Sequence, residues 1–267
     1  MTSATTSILD DLETGRLRAA VPDPDAANGW RVDPTAKTAI LGCFADRETR
    51  TWAAGPLGFR DRIGVPPKSM ADAPDARFAE AAGRPWRVVP GGTSIRAGAH
   101  LEPGVVVMPP AFVNIGAWVG EDTMIDSHVL VGSCAQIGAR VHLAAGVQVG
   151  GVLEPPGARP VIVEDDAFIG AGSLLLDGVL IGAEAVIAAG VVLTGTSTVH
   201  DLVHEMILRG TTDAPLVIPP RAVVVAGTRR LGGAFAERHG LAVTSPMIVK
   251  YRDPGTDRRV ALEDALR

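Results

Sequence analysis

Cysteine, aromatic residues and long apolar runs are all scarce in this chain. Its two cysteines, Cys43 and Cys134, stand far apart and frame neither a disulfide scaffold nor a zinc site. Aromatics make up 4% with a single tyrosine, and the formal net charge is −5. A nucleic-acid surface needs basic patches and stacking rings, and neither is supplied. No stretch approaches the roughly 18–20 apolar residues that a membrane span requires. The opening MTSATTSILDDLETG carries acids where a secretory leader has a basic start and an apolar stretch. These absences predict a cytoplasmic protein with no membrane partner, no nucleic-acid partner and no bound metal.

Core material is abundant. With 267 residues, 46% of them hydrophobic, the chain has enough for one large domain or two small ones, which excludes disorder. Three parts are expected: an N-terminal helical cap over 1–88, a repeat region over 89–227, and a C-terminal extension over 228–267. In the first, Ser7 reads as an N-cap ahead of Ile8-Leu9-Asp10-Asp11-Leu12-Glu13, with Gly15 to end the short helix. Asn28-Gly29 is a turn signal. Ala36 to Phe44 fits a strand and a buried helix equally well, and Asp72 to Ala82 reads as another short helix.

From Ile95 the period changes. Every sixth residue is aliphatic: Ile95, Leu101, Val107, Val113, Val119, Ile125, Val131, Ile137, Leu143 and Val149. After a stretch with Pro155, Pro156 and Pro160 the series resumes at Val163, Ile169, Leu175, Ile181, Ile187, Leu193 and Val199. The next position is mostly small or acidic, as in Gly120, Asp126, Gly132 and Gly170, and the fifth is mostly small or β-branched. A strand repeats every two residues and a helix every 3.6, so a period of six is neither. It is the signature of a parallel β-helix in which three hexapeptides close one triangular coil.

Each aliphatic residue should point into the prism and stack on its equivalents, with coils about 4.8 Å apart. Residues at the tight corners should be small, because backbone segments approach closely there. The seventeen strands make between five and six coils, and Ile218 to Val224 reads as a last partial coil. Val105, Val106, Val129 and Val147 are expected on flat outer faces, where apolar surface would call for neighbouring prisms and a homotrimer. A strand over Leu241 to Tyr251 and a helical end over Leu262 to Arg267 complete the expectation.

Among chemically capable residues, no phosphate-cradling glycine motif is present. His200 and His204 lie four apart without the zincin order and read as a loop pair. Cys134 reads as a small packing residue, since nothing around it would lower a thiol pKa.

Several segments are more specific than a generic repeat: Arg87-Val88-Val89-Pro90, Val107-Met108-Pro109, Val113-Asn114-Ile115-Gly116-Ala117, GSCAQIG from Gly132, Val141-His142-Leu143, GGVLEP from Gly150, Ile162-Val163-Glu164-Asp165 and Phe168-Ile169-Gly170-Ala171. Through them the chain resembles the tetrahydrodipicolinate N-succinyltransferases, acyltransferases of bacterial lysine and diaminopimelate biosynthesis. That resemblance covers most of the chain and implies a left-handed winding. It also implies a homotrimer with active sites in the grooves between prisms. There a dicarboxylate amino acid precursor attacks the thioester of succinyl-CoA, a co-substrate with no permanently bound cofactor beside it.

By the same resemblance Arg87 matches the family's carboxylate-binding arginine and Asp126 its active-site aspartate. Ser133 joins them as a substrate-binding candidate. Read without the family, Arg87 is a surface arginine and Asp126 a corner acid that the repeat allows.

The family's aspartate-threonine-tryptophan becomes Asp126-Ser127-His128, and its alanine-arginine-serine-glutamate becomes Ala171-Gly172-Ser173-Leu174. That glutamate has the acid/base role in the family, and Leu174 cannot move a proton. His128 is therefore a second catalytic candidate, since an imidazole titrates near working pH. His142 reads as structural. Gly190, Ala226 and Arg229 are candidates for coenzyme A contacts by position. The departures leave open a sibling that uses acetyl-CoA, and beside it a non-catalytic repeat protein. A zinc β-helix is a weaker rival, because His100, His128 and His142 lack the spacing it needs.

Overall fold

The computed structural model describes residues 3–54 and 57–256. The six-residue period produces the expected object. Two-residue strands turn through three corners, and each strand hydrogen-bonds in parallel to the strand eighteen residues away, so that Met124 lies on His142 and Ile125 on Leu143. Past the proline-rich loop the spacing lengthens, and Gln136 pairs with Ile162. Amide-to-carbonyl bonds of 2.9–3.0 Å such as Met124 N to Val141 O and Asp126 N to Leu143 O join each coil to the next.

Three sheets result. Six strands, from His100–Leu101 to Val217–Ile218, form what we term the cap face. Six more, from Ser94–Ile95 to Val192–Leu193, form the short face. The long face has ten, of which seven run from Arg87–Val88 through Met124–Ile125 and Phe168–Ile169 to Ala222–Val225. Met247–Tyr251, Thr198–Asp201 and Met206–Arg209 are added at its upper end.

The repeat aliphatics line the interior, and Leu101, Val119, Ile137, Leu143 and Ile187 are all 0% exposed. Each such burial contributes about 1.5–3 kcal/mol, which makes the prism interior the main source of stability. The placement of the valines is corrected. Val105, Val129 and Val147 are buried in this core rather than on outer faces, and only Val106 is half-exposed. The reason is geometric: the fifth hexapeptide position turns inward as well, so each repeat buries two side chains. Outward apolar residues come instead from the first residue of each strand, such as Phe112, Leu130, Leu174 and Val192 on the short face.

Small corner residues are explained by contact. A Cβ on Gly120, Gly132 or Gly170 would lie within 2.5 Å of the backbone one coil above. The proline-rich loop leaves the prism at the corner between the short and cap faces. Lys37, fully buried, holds it through the carbonyls of Pro155 at 3.2 Å and Ala158 at 2.7 Å.

The N-terminal part has three helices. Helix α1 spans Ser3–Glu13, starting earlier than an N-cap at Ser7, and Gly15 follows it with φ +73°. Ala36 to Phe44 resolves as helix: α2 runs Pro34–Cys43, capped by Asp33, which accepts from Thr35 N and Ala36 N. Helix α3, Pro74–Ala81, begins at a proline whose preceding residue is extended. Two hairpins join them, Ala20–Pro22 with Trp30–Val32 and Thr49–Ala54 with Leu57–Arg62.

This segment covers the cap face. Arg18 lies 3.9 Å over the Trp118 ring and donates to Gln136 Oε1 at 2.6 Å, while Trp30 donates to Glu164. A buried triad, Lys68 with Glu13 and Asp75 at 2.8 Å each, staples α1 and α3 to the first coil. At the other end the single strand expected over Leu241 to Tyr251 is two, Ala242–Thr244 and Met247–Tyr251. Pro246 between them has no amide to donate. A short helix α4, Ala234–Arg238, precedes them, and the expected helical end at Leu262 to Arg267 lies outside the described residues.

Candidate active site

Six-residue repeats make three columns of corners, and the corner between the long and short faces collects most of the singled-out residues. Pairing of successive strands sets the register. Asp126 lies under Ala144, Gly170, Ala188 and Val225. Ser127 lies under Ala145, Ala171, Ala189 and Ala226. His128 lies under Gly146, Gly172, Gly190 and Gly227. The corner amides confirm the stack: Gly146 N donates to Ser127 O at 2.8 Å, Gly172 N to Ala145 O and Gly190 N to Ala171 O at 2.9 Å.

Asp126 and His128 form the lower end of this column. Asp126 Oδ1 accepts from Ser127 N at 2.6 Å, which fixes the carboxyl and leaves Oδ2 for another donor. His128 has φ +62°, a left-handed conformation that aims an exposed imidazole away from the prism. Gln148 Nε2 donates to His128 O at 3.2 Å and steadies that turn. Arg87, exposed, starts the long face two strands below Met124, roughly 10 Å down the prism from it. Gly190 and Ala226 belong to the same column above Asp126, and Arg229 follows in the strand Thr228–Arg230.

Ser133 is elsewhere. It sits at the corner between the short and cap faces, 6% exposed, with its backbone against Gly151. The structure thus brings Asp126, His128, Gly190 and Ala226 along one edge of the prism, with Arg87 on the adjoining long face and Arg229 in the strand that follows, and leaves Ser133 on another. His100 stacks on Trp118 at 3.8 Å on the cap face, and His142 packs against Phe168 on the long face. Among the described residues no group of three histidine, cysteine or acidic side chains could hold a metal ion. Cys134 is fully buried, and burial pushes its thiol up to about 12, which makes it a packing residue.

A column of glycines emerges once register is carried across the proline-rich loop. The fourth position of every third repeat gives His128, Gly146, then Gly172 and Gly190, where the corner between the cap and long faces holds mostly charged residues. A Cβ on Gly172 or Gly190 would meet nothing within 4 Å, so the chain's own packing does not demand these glycines. They leave the corner bare.

A flat-faced prism with a bare corner and a carboxylate–imidazole pair at one end is the architecture of a hexapeptide-repeat acyltransferase. The family described as "Hexapeptide repeat of succinyl-transferase" matches residues 160–195. The chain is 40% identical to the 2,3,4,5-tetrahydropyridine-2,6-dicarboxylate N-succinyltransferase of Xylella fastidiosa, over 97% of this chain and 86% of that one. It is 36% identical to the enzyme of the same name from Dechloromonas aromatica, over 99% and 89%. A crystal structure from Campylobacter jejuni, assigned as a 2,3,4,5-tetrahydropyridine-2-carboxylate N-succinyltransferase, aligns with TM-score 0.54 at 16% identity. It covers 96% of this chain and 64% of that one, and shares the fold.

The chain belongs to the 2,3,4,5-tetrahydropyridine-2,6-dicarboxylate N-succinyltransferase family, and its prism is a left-handed parallel β-helix. No described helix is long and apolar enough to cross a membrane.

Proposed function

We propose that this chain transfers the succinyl group of succinyl-CoA to the amine of ring-opened tetrahydropyridine dicarboxylate, in the cytoplasm, as a step toward diaminopimelate and lysine. The observation that carries this reading is the bare corner above Asp126 and His128. Its four steps from Ser127 to Ala226 span roughly 19 Å. A pantetheine arm with its diphosphate, about 15 bonds from sulfur to the outer phosphorus, spans about the same length. With the thioester at Asp126 and His128, the phosphates lie near Ala226 and Arg229, and Gly190 lets the arm approach the backbone.

The chemistry follows from this placement. The amine attacks the thioester carbonyl, a C–N bond forms and the C–S bond breaks, and the thiolate leaves. Asp126 Oδ2 orients the amine by accepting one of its hydrogens, and His128 takes the proton that nucleophilic attack releases. Arg87 pairs with a carboxylate of the acceptor, for which its planar fork is suited.

The site is half-walled in one chain. We propose that three copies assemble side by side, covering the outward residues Phe112, Leu130, Leu174 and Val192 of the short face. Ser133 would then act from outside the corner of its own chain. Native mass should be three times 27.7 kDa.

Leu174 favours a second reading, a shorter uncharged acyl donor such as acetyl-CoA. It puts an apolar side chain on the short face where the family pattern has a glutamate. Free-thiol release with tetrahydrodipicolinate and each donor in parallel separates the two. Turnover with succinyl-CoA supports the first reading, preference for acetyl-CoA the second, and silence with both overturns the acceptor. Asp126→Ala and His128→Gln should each lower kcat by about 10²–10⁴. Full activity in both variants would remove the mechanism.

A further inference from the structure

The column does not stop at Ala226. Val225 pairs with Met247, and Met247 with His200, so His200 stands six strands above Asp126 on the same ladder, roughly 29 Å from it. Its neighbours tie it to the bare corner. Ser245 N donates to Gly227 O at 2.8 Å, and His200 N donates to Pro246 O at 3.1 Å. His200 Nδ1 lies 2.9 Å from Ser245 Oγ, and Ser245 Oγ lies 3.4 Å from Thr198 O. Ser245 is 1% exposed and His200 is half-buried.

A hydroxyl has one proton to give. When Ser245 gives it to the Thr198 carbonyl, its oxygen is left to accept from His200 Nδ1–H, and in the imidazolium form Nε2–H remains to donate to an anionic partner. Alternation along Thr198–Asp201 puts His200 on the outer side, while Asp201 turns inward and is bonded by His204 and Tyr251. Met247 and Ile207, the ladder neighbours of His200, bring no charge of their own.

Resting on the acyl-CoA reading above, we infer that His200, oriented by Ser245, binds the ribose 3′-phosphate of the donor. The thiol-to-diphosphate span ends near Ala226 and Arg229, and the ribose with its phosphate extends a few ångströms beyond. Met247 and His200 occupy the next two steps. His200 is then a specificity residue for the phosphorylated nucleotide, at the far end from the chemistry.

The experiment uses the full chain and two donors, succinyl-CoA and its 3′-dephospho form. For the unmodified protein KM should be lower for succinyl-CoA. His200→Ala should raise that KM about tenfold, the worth of one charge-assisted hydrogen bond, with kcat within about twofold and KM for the dephospho donor unchanged. Ser245→Ala should shift KM in the same direction by less. An equal rise on both donors, or no rise, overturns the assignment. Should His200→Ala fail to fold, His200→Gln with competition by CoA and 3′-dephospho-CoA gives the same comparison, and equal inhibition by both overturns it. Failure of the unmodified protein to bind CoA overturns the acyl-CoA reading and this inference together. Tight CoA binding that ignores position 200 overturns this inference alone.

Discussion

Two corners of one prism solve the same backbone problem with opposite side chains. Where the cap face meets the long face, the left-handed position above Gly104 is filled by Asp122, Arg140, Asp166, Glu184 and Arg221, with φ between 55° and 65°. These charges interlock. Arg140 reaches Asp166 at 2.7 Å and Glu121 at 3.7 Å, Arg84 reaches Glu121 at 3.0 Å and also meets Asp122, and Arg221 meets Glu184. Where the long face meets the short face, the same position holds His128, Gly146, Gly172 and Gly190. The left-handed conformation alone therefore does not select glycine in this fold. With open space beside them, Gly172 and Gly190 are not required by the chain's own packing either.

Adding a charge to the bare corner breaks the comparison most severely. Gly172→Asp installs the residue that Asp122 and Asp166 show to be tolerated at this φ, so folding should survive with Tm within about 3 °C. A carboxylate desolvated against the donor's arm should lower kcat/KM by about 10²-fold. Steady-state kinetics beside a thermal melt read both quantities, and retained activity would mean that the corner carries no ligand.

Burial of a carboxylate sharpens the contrast with the solvent-washed acids of the charged corner. Burial alone would raise the pKa of Asp201. Hydrogen bonds from the Tyr251 hydroxyl at 2.7 Å, His204 Nδ1 at 2.9 Å and the amides of His204 and Val203 bring it down to about 2. A depressed native pKa favours the folded state wherever the unfolded carboxyl, near 3.8, is ionised. About 2 kcal/mol should be present above pH 4 to 5 and lost as pH falls toward 2. Urea titrations between pH 2 and 6 should show this slope, and Asp201→Asn should remove it.

The fold was legible because a period of six has few structural solutions. Ile95 through Val199 announce the prism without any knowledge of the side chains between them. The outer surface was less legible, as the valines show. Val105, Val129 and Val147 differ from Val106 by one step of register, and one step moves a side chain from solvent to core. Asp126 and Arg87 rest on the resemblance, and the structure puts Arg87 on the long face, two strands below the neighbour of Asp126. Ser133 was drawn in by its matched segment, yet sequence proximity of seven residues to Asp126 means the next corner, not the same one. The glycine column and the His200–Ser245 pair depend on long-range register, across the proline-rich loop for the first and across the antiparallel return of Met247–Tyr251 for the second. No local pattern encodes that.

The weakest effects concern the charged corner itself, and there the sign carries the information. Arg140→Ala removes pairs whose members are about 40% exposed, worth at most about 1 kcal/mol together, and keeps the left-handed backbone. Arg140→Gly removes the same pairs but relieves a conformation that costs a side chain about 1–2 kcal/mol. Its extra freedom in the unfolded chain offsets about 0.5–1 kcal/mol of that relief. Glycine should therefore be the milder substitution, ahead of alanine by a few tenths of a kcal/mol to about 1 kcal/mol. Thermal unfolding at one fixed protein concentration would resolve the order, since assembly makes Tm concentration-dependent. Alanine as stable as glycine would show that the charged corner is unstrained. The bare corner would then owe its glycines to the approach of another molecule and to nothing in the backbone.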